Sequence, residues 1–92
     1  MTGRTISEFI TELYNNPEME FIYHDNRYMI SGYVGVSDEI YTLELWNITT
    51  NTLVFKCSDK LREKCVEQFE DSMLFDNRTI YEAEAEINVQ YG

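Results

Sequence analysis

Hydrophobic residues recur along this chain with two different periods, and each change of period predicts the start of a new element. The first of them lie three and four positions apart, as on one face of a helix: Ile6, Phe9, Ile10, Leu13 and Tyr14. Thr5 and Glu8 fit a capping box at the start of this helix. Asn15-Asn16-Pro17 ends it, because the residue before a proline avoids the helical region.

From Met19 onward the period becomes two, which is typical of strands. Four strands are predicted, at residues 19–24, 27–34, 40–48 and 53–57, and the short turns between them favour an antiparallel meander. The first turn is predicted at Asp25-Asn26, since both residues tolerate positive φ better than most. The third strand carries large apolar groups on both faces, so we expect it to be central in the sheet or covered on both sides.

A second helix is predicted after the fourth strand, with Ser58 or Asp59 as its cap. Its apolar residues recur close to every fourth position: Leu61, Cys65, Phe69 and Met73. Residues 79–91 are ambiguous, because their apolar residues alternate as in a strand, whereas alanine and glutamate favour a helix. Thr79 and Glu82 also fit a capping box. We predict a short acidic helix from Thr79 to about Ile87, followed by an extended tail.

Together these elements predict a single α+β domain over residues 1–92. It has an N-terminal helix, an antiparallel sheet of about four strands in a meander, a C-terminal helix and the short acidic helix. A chain of this length is expected to form one core. In that core, one side of the sheet packs on the two longer helices through Phe21, Ile30, Leu43, Leu45 and Phe55 against Phe9, Leu13, Leu61, Cys65 and Phe69.

The net charge of the chain limits the classes of function that it can have. Seventeen acidic residues oppose seven basic ones, for a net charge of -10, yet 43% of the residues are hydrophobic, so the chain is expected to fold. Direct binding to nucleic acid is disfavoured because each phosphate contact needs a cation, and the basic residues at positions 56–64 are outnumbered by nearby acids. No apolar run approaches the length of about 20 residues that spans a membrane. The first residues lack the apolar stretch of a secretion signal, so we expect a cytoplasmic protein.

Catalytic and metal-binding patterns are missing from the sequence. Cys57 and Cys65 form no CxxC pair and His24 is the single histidine, which leaves too few ligands for zinc. We expect both cysteines to be reduced. No nucleophile can be paired with His24 as a base, and the acidic pairs lack the turn glycine of calcium loops. The prediction is a protein that is not an enzyme and uses no cofactor or metal.

The acids are expected to form the functional surface. The second helix, the short acidic helix and their connection can create one continuous negative face, to which the loop at Asp38-Glu39 is added. Carboxylates on a rigid fold can imitate phosphate charge and occupy a groove lined by Arg and Lys. The predicted partner-binding residues are Asp38, Glu39, Glu63, Glu67, Glu70, Asp71, Asp76, Glu82 and Glu86. The alternative left open is an acidic surface that serves solubility only.

The order of elements and the acidic charge resemble those of small anti-CRISPR proteins that mimic DNA and occupy the protospacer-motif site of a type II nuclease. A second similarity, to short proteins of Gram-positive phages and conjugative elements, is carried by residues 28–33, 42–46 and 75–82. The resemblance implies a non-catalytic inhibitor of a basic, nucleic-acid-handling protein such as a CRISPR nuclease.

Two other functions fit the same sequence. One is a self-associating structural or assembly module of a mobile element, with a monomer or weak homodimer held by exposed aromatics such as Tyr33, Tyr41 or Trp46. The other is an immunity protein that blocks a basic toxin nuclease, since it requires the same charge.

Overall fold

The computed structural model describes residues 1–91 and places their strands in one five-stranded sheet. The helices are α1 (Ile6–Asn15), α2 (Arg62–Asp71) and α3 (Ile80–Ala83), and a 3-10 turn follows at Glu84–Glu86. The strands are β1 (Met19–Tyr23), β2 (Asn26–Val34), β3 (Tyr41–Asn47), β4 (Thr52–Asp59) and β5 (Ile87–Tyr91). Neighbouring strands are antiparallel, in the order β4-β3-β2-β1-β5. The predicted α+β class is confirmed.

The sheet has five strands, where the sequence predicted about four, because the end of the chain forms β5. Ile87 and Val89 pair with β1 and are buried. The helix predicted from Thr79 to about Ile87 therefore ends early, at Ala83, although its capping box with Glu82 is present. Pairing with β1 buries both Ile87 and Val89, which a helix would place on different faces. Helix propensity therefore determines the structure only of the residues before Ile87, which have no strand partner.

An aromatic core joins the helices to the sheet. Phe9 of α1 packs on Phe21 of β1 and on Phe69 of α2, with ring centroids 5.9 and 6.4 Å apart. Phe69 in turn packs on Phe55 of β4 at 5.6 Å. Phe75, in the connection after α2, is 1% exposed and lies 6.0 Å from Phe21. These contacts place α1, α2 and the α2–α3 connection on one face of the sheet, the side on which the sequence predicted the two longer helices.

The second helix begins later than predicted and buries a different set of residues. Ser58 and Asp59 still pair with β3, so neither caps the helix, although the Asp59 carboxylate accepts the Leu61 N–H at 2.9 Å. Leu61 occupies the N-cap and is 50% exposed, and Met73 lies beyond the helix and is exposed. The prediction of Leu61 as a core residue is wrong, because β4 continues two residues further and delays the helix. The buried residues of α2 are Cys65, Val66 and Phe69.

The other face of the sheet carries no helix from residues 1–91, and we call it the open face. Side chains alternate along a strand, so the register assigns its members. They are Glu20, Ile22, Arg27, Met29, Ser31, Tyr33, Thr42, Glu44, Trp46, Leu53, Lys56, Ser58, Asn88 and Tyr91. Tyr41, predicted as an exposed aromatic, lies on the helical side and is buried.

The turn between β1 and β2 is displaced by one residue from the predicted Asp25-Asn26. Tyr23 pairs with Asn26, which leaves His24 and Asp25 as the turn residues, with φ of 48° and 64°. Positive φ at both positions is the type I′ geometry, whose twist matches that of the flanking strands. The shift places His24 at a corner of the sheet, where it meets the other end of the chain.

Candidate functional site

Most of the acids predicted to bind a partner lie on the helical side of the molecule. Glu67, Glu70 and Asp71 of α2 line a cleft of about 400 Å³, together with Thr79 and Tyr81. We call this cleft the acidic groove. Glu63 on α2 and Glu82 on α3 are exposed but do not line it. Five of the predicted residues come from these two helices: Glu63, Glu67, Glu70, Asp71 and Glu82.

One side of α2 presents acids to α1. Glu63, Glu67 and Glu70 are four and three residues apart, so they share a face of the helix. Tyr14 of α1 lies beside them: burial raises the pKa of this phenol, and the negative charges of Glu70, Glu67 and Glu63 raise it further. The Arg62 guanidinium donates a hydrogen bond to the Tyr14 carbonyl and ties the start of α2 to the end of α1. The predicted helical stripe of acids is therefore fixed in place against a neighbouring helix.

Tyr81 stands between the acidic groove and a second, more apolar cleft. Its hydroxyl donates a hydrogen bond to the Glu70 carboxylate. Burial and this bond raise the pKa of Tyr81 to about 12, so the phenol is neutral at pH 7. The second cleft has a volume of about 320 Å³ and is lined by Ile6, Ser7, Ile10, Thr11 and Tyr81. A partner that enters here meets carboxylates and hydrocarbon side by side.

The dipole of α2 disfavours the acids at its C-terminal end. Glu70 and Asp71 lie in the last turn of the helix, which contains no basic residue. Because the C-terminal end of a helix carries partial negative charge, an exposed acid there is unfavourable by roughly 0.3–1 kcal/mol. Glu63 and Glu67, four residues apart, add like-charge repulsion, which the exposed ion pair of Lys64 with Glu67, 3.9 Å apart, only partly offsets. This distribution does not serve the stability of the helix, and it suits a surface that binds cations.

Asp76 and Glu86, also predicted to bind a partner, are paired within the chain. His24 Nδ1 lies 3.0 Å from Asp76 Oδ2, and His24 Nε2 lies 2.7 Å from Glu86 Oε1. Arg78 binds Glu86 and donates to the Tyr23 hydroxyl at 2.7 Å, and this hydroxyl donates to Asp76 at 2.9 Å. We call these five residues the His24 cluster. Their mutual neutralisation makes this corner less negative than the acidic groove.

Two tight turns build the His24 cluster. His24 and Asp25 form the first, and Asp76 and Asn77 form the second, with φ of 55° and 62°. The second turn is closed by two backbone hydrogen bonds between Phe75 and Arg78, each 3.1 Å long. Asp and Asn reach positive φ at lower cost than most residues. The cluster joins residues more than fifty positions apart, so periodicity gives no signal of it, and Asp76-Asn77 is the one local sign.

The His24 cluster predicts a pH-dependent stability. The hydrogen bond to Glu86 raises the pKa of His24, and the charges of Glu86 and Asp76 add to this while Arg78 opposes it. A raised pKa in the folded state means that the stabilisation is complete below the unfolded value near 6.5 and is lost as pH rises through the folded value. We expect His24→Asn, which tolerates the positive φ, to lower the thermal midpoint more at about pH 5.5 than at about pH 8.5.

Thermal unfolding of both proteins at the two pH values measures this difference. Asp25→Asn, in the same turn but outside the cluster, is the control and should shift the midpoint equally at both. An equal loss for His24→Asn at both pH values would contradict a role for the charged imidazole.

Asp38 and Glu39 lie apart from the other predicted residues. They belong to the loop between β2 and β3, at the end of the sheet where α2 begins. The Asp38 carboxylate accepts the Ile40 N–H at 3.0 Å, and Glu39 has a φ of 59°, so both shape the loop. The predicted continuous negative face is thus divided into the acidic groove, the His24 cluster and this loop.

The two cysteines are free. Burial raises the pKa of the Cys65 thiol to about 12, and the thiol therefore stays protonated and unreactive at neutral pH. Within residues 1–91, no group of three or more His, Cys, Asp or Glu side chains is arranged to hold a metal ion. No helix in the same range is long and apolar enough to cross a membrane.

Comparison with protein-family models, with curated proteins and with solved structures finds no match to this chain. The functional argument rests on the fold, the charges and the geometry of the two clefts.

Proposed function

We propose that this chain is a non-catalytic binding protein that inhibits a basic, nucleic-acid-handling protein, such as a CRISPR nuclease, by occupying its cationic groove. The observation that carries the proposal is the acidic groove. Glu67, Glu70 and Asp71 line it; Lys64 pairs with Glu67 at 3.9 Å, and the last turn of α2 holds no basic residue beside Glu70 and Asp71. In a chain with a net charge of -10, this is a surface on which acidic charge is held on rigid elements.

The spacing of these carboxylates suits the imitation of a phosphate backbone. Residues four apart on a helix lie about 6 Å apart along its axis, so Glu63, Glu67 and Asp71 form a row of negative charges along α2. A groove that binds DNA through several Lys and Arg side chains is attracted to such a row, and the attraction weakens as salt rises. Tyr81 and the apolar cleft beside it add contacts that salt does not weaken.

Capture of the partner tests the proposal. The tagged chain is incubated with nuclease-treated host lysate, washed at low and at high salt, and the retained proteins are identified by mass spectrometry. We expect a basic nucleic-acid enzyme that is retained at low salt and released at high salt, and whose binding to DNA the chain inhibits in competition. A captured protein that binds the chain and DNA simultaneously would contradict the mimicry, and a basic toxin nuclease would identify an immunity protein instead.

Charge reversal then locates the binding surface. We expect Glu67→Lys with Asp71→Lys to weaken binding by about a hundredfold, because attraction at two positions becomes repulsion. The thermal midpoint should hardly change, since both side chains are exposed and Asp71 opposes the helix dipole. The matched controls are the single variants Glu67→Lys and Glu18→Lys, which change the net charge equally on exposed residues of different faces. Equal effects of these two would show that net charge alone, and not the groove, governs binding.

A further inference from the structure

The open face differs in charge from the rest of the molecule. Its charged residues are two acids and two bases, joined as ion pairs between Glu20 and Arg27 and between Glu44 and Lys56. The charges of its strand residues therefore sum to zero in a chain whose total is -10, and Glu18, at the margin of the face, adds one negative charge. The excess negative charge lies on the helices, loops and turns. A partner drawn by acidic charge has no reason to bind here, and nucleic acid finds both cations already paired.

Several polar groups of this face are already paired with each other. Glu44 accepts a hydrogen bond from the Trp46 indole at 2.9 Å and one from the Tyr33 hydroxyl at 3.2 Å. Glu20 holds Arg27 and a hydrogen bond from the Tyr91 hydroxyl, and that bond is the main cause of the raised pKa of Tyr91. Burying these side chains leaves few donors without acceptors, and the apolar parts of the aromatic rings remain available for contact.

One row of residues crosses the open face from edge to edge. The register places one member on each strand in turn: Leu53, Trp46, Met29, Glu20 and Tyr91. The centre of the row is Met29 on β2, the middle strand of the sheet. Leu53 and Tyr91, at its two ends, are 41% and 54% exposed. A cavity of about 140 Å³ lies at the Tyr91 end and is lined by Glu18, Met19, Met29, Ile30, Ser31 and Tyr91.

We propose that the open face pairs with the open face of a second copy of this chain to form a two-fold symmetric dimer. A two-fold axis along β2 maps the row of Leu53, Trp46, Met29, Glu20 and Tyr91 onto itself in reverse. Leu53 of one protomer then lies over Tyr91 and the adjacent cavity of its partner, and the two Met29 side chains meet at the axis. Such an isologous contact is closed and cannot extend into fibres.

Charge permits this geometry: the same axis brings the two Arg27 side chains together, but each is paired with Glu20 of its own chain. Face-to-face sheets lie about 10 Å apart, and each acidic groove is on the far side of its own sheet, beyond the Debye length of about 8 Å at physiological salt. Contact through the sheet edges is hindered instead. Thr2 already pairs with β5, where its N–H donates to Ile87 at 3.0 Å and its carbonyl accepts from Val89 at 2.9 Å. The opposite edge, β4, carries Lys56 and a bulge in its pairing with β3.

The area of the face fits a weak dimer. Five strands about 4.8 Å apart, averaging about seven residues of about 3.3 Å, span a face of roughly 24 by 23 Å. Two such faces, when they overlap fully, bury about 1,000 Å², at the lower limit of specific interfaces. We therefore expect a dimer in the micromolar range. Salt should strengthen the dimer, because screening reduces the repulsion between two copies that each carry a charge of -10, whereas salt should weaken binding at the acidic groove.

Sedimentation of the purified full chain tests the dimer, at about 10 to 200 μM and in about 0.05 and 0.5 M salt. We expect a monomer–dimer equilibrium that is unchanged or tighter at high salt. Met29→Lys should raise the dissociation constant at least about a hundredfold, because a symmetric interface buries the new charge twice. Met73→Lys is the matched control: it makes the same substitution on an exposed methionine outside the open face and should leave the equilibrium intact.

Leu53→Lys covers the case in which Met29→Lys does not fold, since Leu53 is exposed on an edge strand. It should also weaken the dimer, with an unchanged circular dichroism spectrum. A wild-type monomer across the whole concentration range at both salts would overturn the proposal. Equal dissociation by Met73→Lys, or species larger than a dimer, would overturn it as well.

Discussion

Replacing Phe75 with alanine is expected to lower the free energy of unfolding by about 3 to 5 kcal/mol, the range for a buried phenylalanine. Phe75 is 1% exposed although it lies in a connection outside any helix or strand. Its ring packs on Phe21, Tyr23 and Tyr28, with centroids 6.0, 5.3 and 6.0 Å away. Since a small domain has about 5–15 kcal/mol in total, this loss would bring the chain close to unfolding at ambient temperature.

Urea unfolding followed by fluorescence or circular dichroism measures the loss. Leu74→Ala is the matched control, because it truncates the neighbouring, half-buried residue of the same connection. It should cost about 1 kcal/mol, a typical value for a point substitution. Similar losses at the two positions would mean that the connection is not anchored by the ring of Phe75.

Phe75→Ala is also expected to disturb the His24 cluster. Phe75 anchors the turn from which Asp76 contacts His24 and Arg78 contacts Glu86. Loss of the ring frees this turn, so the pH dependence attributed to His24 should shrink in Phe75→Ala. The core and the charged corner are therefore coupled through one turn.

Periodicity and capping predicted the elements whose partners are close in sequence. The helical spacing of Phe9 and Leu13, with the capping box of Thr5 and Glu8, gives α1 as observed. Strands β1 to β4 form the predicted meander, because each turn joins neighbours in the sheet. The fifth strand escaped prediction for a physical reason: Ile87 and Val89 become a strand only because β1, more than sixty residues earlier, offers a free edge.

The candidate site was predicted to a similar extent. The stripe of Glu63, Glu67 and Glu70 follows from helical spacing alone and is present on α2. The ion pairs of Asp76 and Glu86 with His24 could not be predicted. His24 lies far from both in the sequence, and the turn that positions it is shifted by one residue from the predicted turn. The two clefts likewise form where Tyr81 lies beside α1 and α2, and no pattern of neighbouring residues in the sequence predicts these contacts.

The two surfaces make opposite physical demands. The proposed binding at the acidic groove is strengthened by a cationic partner and weakened by salt, whereas the proposed dimer is stabilised by burial of aromatic rings and tolerates salt. A dimer through the open faces would turn both acidic grooves outward, on opposite sides. An inhibitor of this form could engage two partner molecules at once, and its apparent affinity for an immobilised partner would then exceed that of the Met29→Lys monomer.

Gly32→Ala is expected to cost about 3 kcal/mol, at the upper end of the range for overpacking. A Cβ at this position would lie 2.6 Å from Cγ of Pro17 and would overlap the hydroxyl oxygen of Tyr41. The space cannot open easily, because Arg62 stacks over the Tyr41 ring at 4.7 Å and Pro17 ends α1. Glycine is thus required here by the close approach of Pro17, which follows α1, and of Tyr41 on β3 to the middle strand.

Tyr41→Phe provides the test of this explanation. The Tyr41 hydroxyl is buried and has no hydrogen-bond partner among residues 1–91, so its removal should stabilise the fold by about 1 kcal/mol. It also removes the atom that lies nearest to the new methyl group. Gly32→Ala should therefore cost less in the Tyr41→Phe background, with a coupling of about 1 kcal/mol or more in a double-mutant cycle of urea unfolding. Strictly additive effects would place the strain at Pro17 and the Tyr41 ring rather than at the hydroxyl.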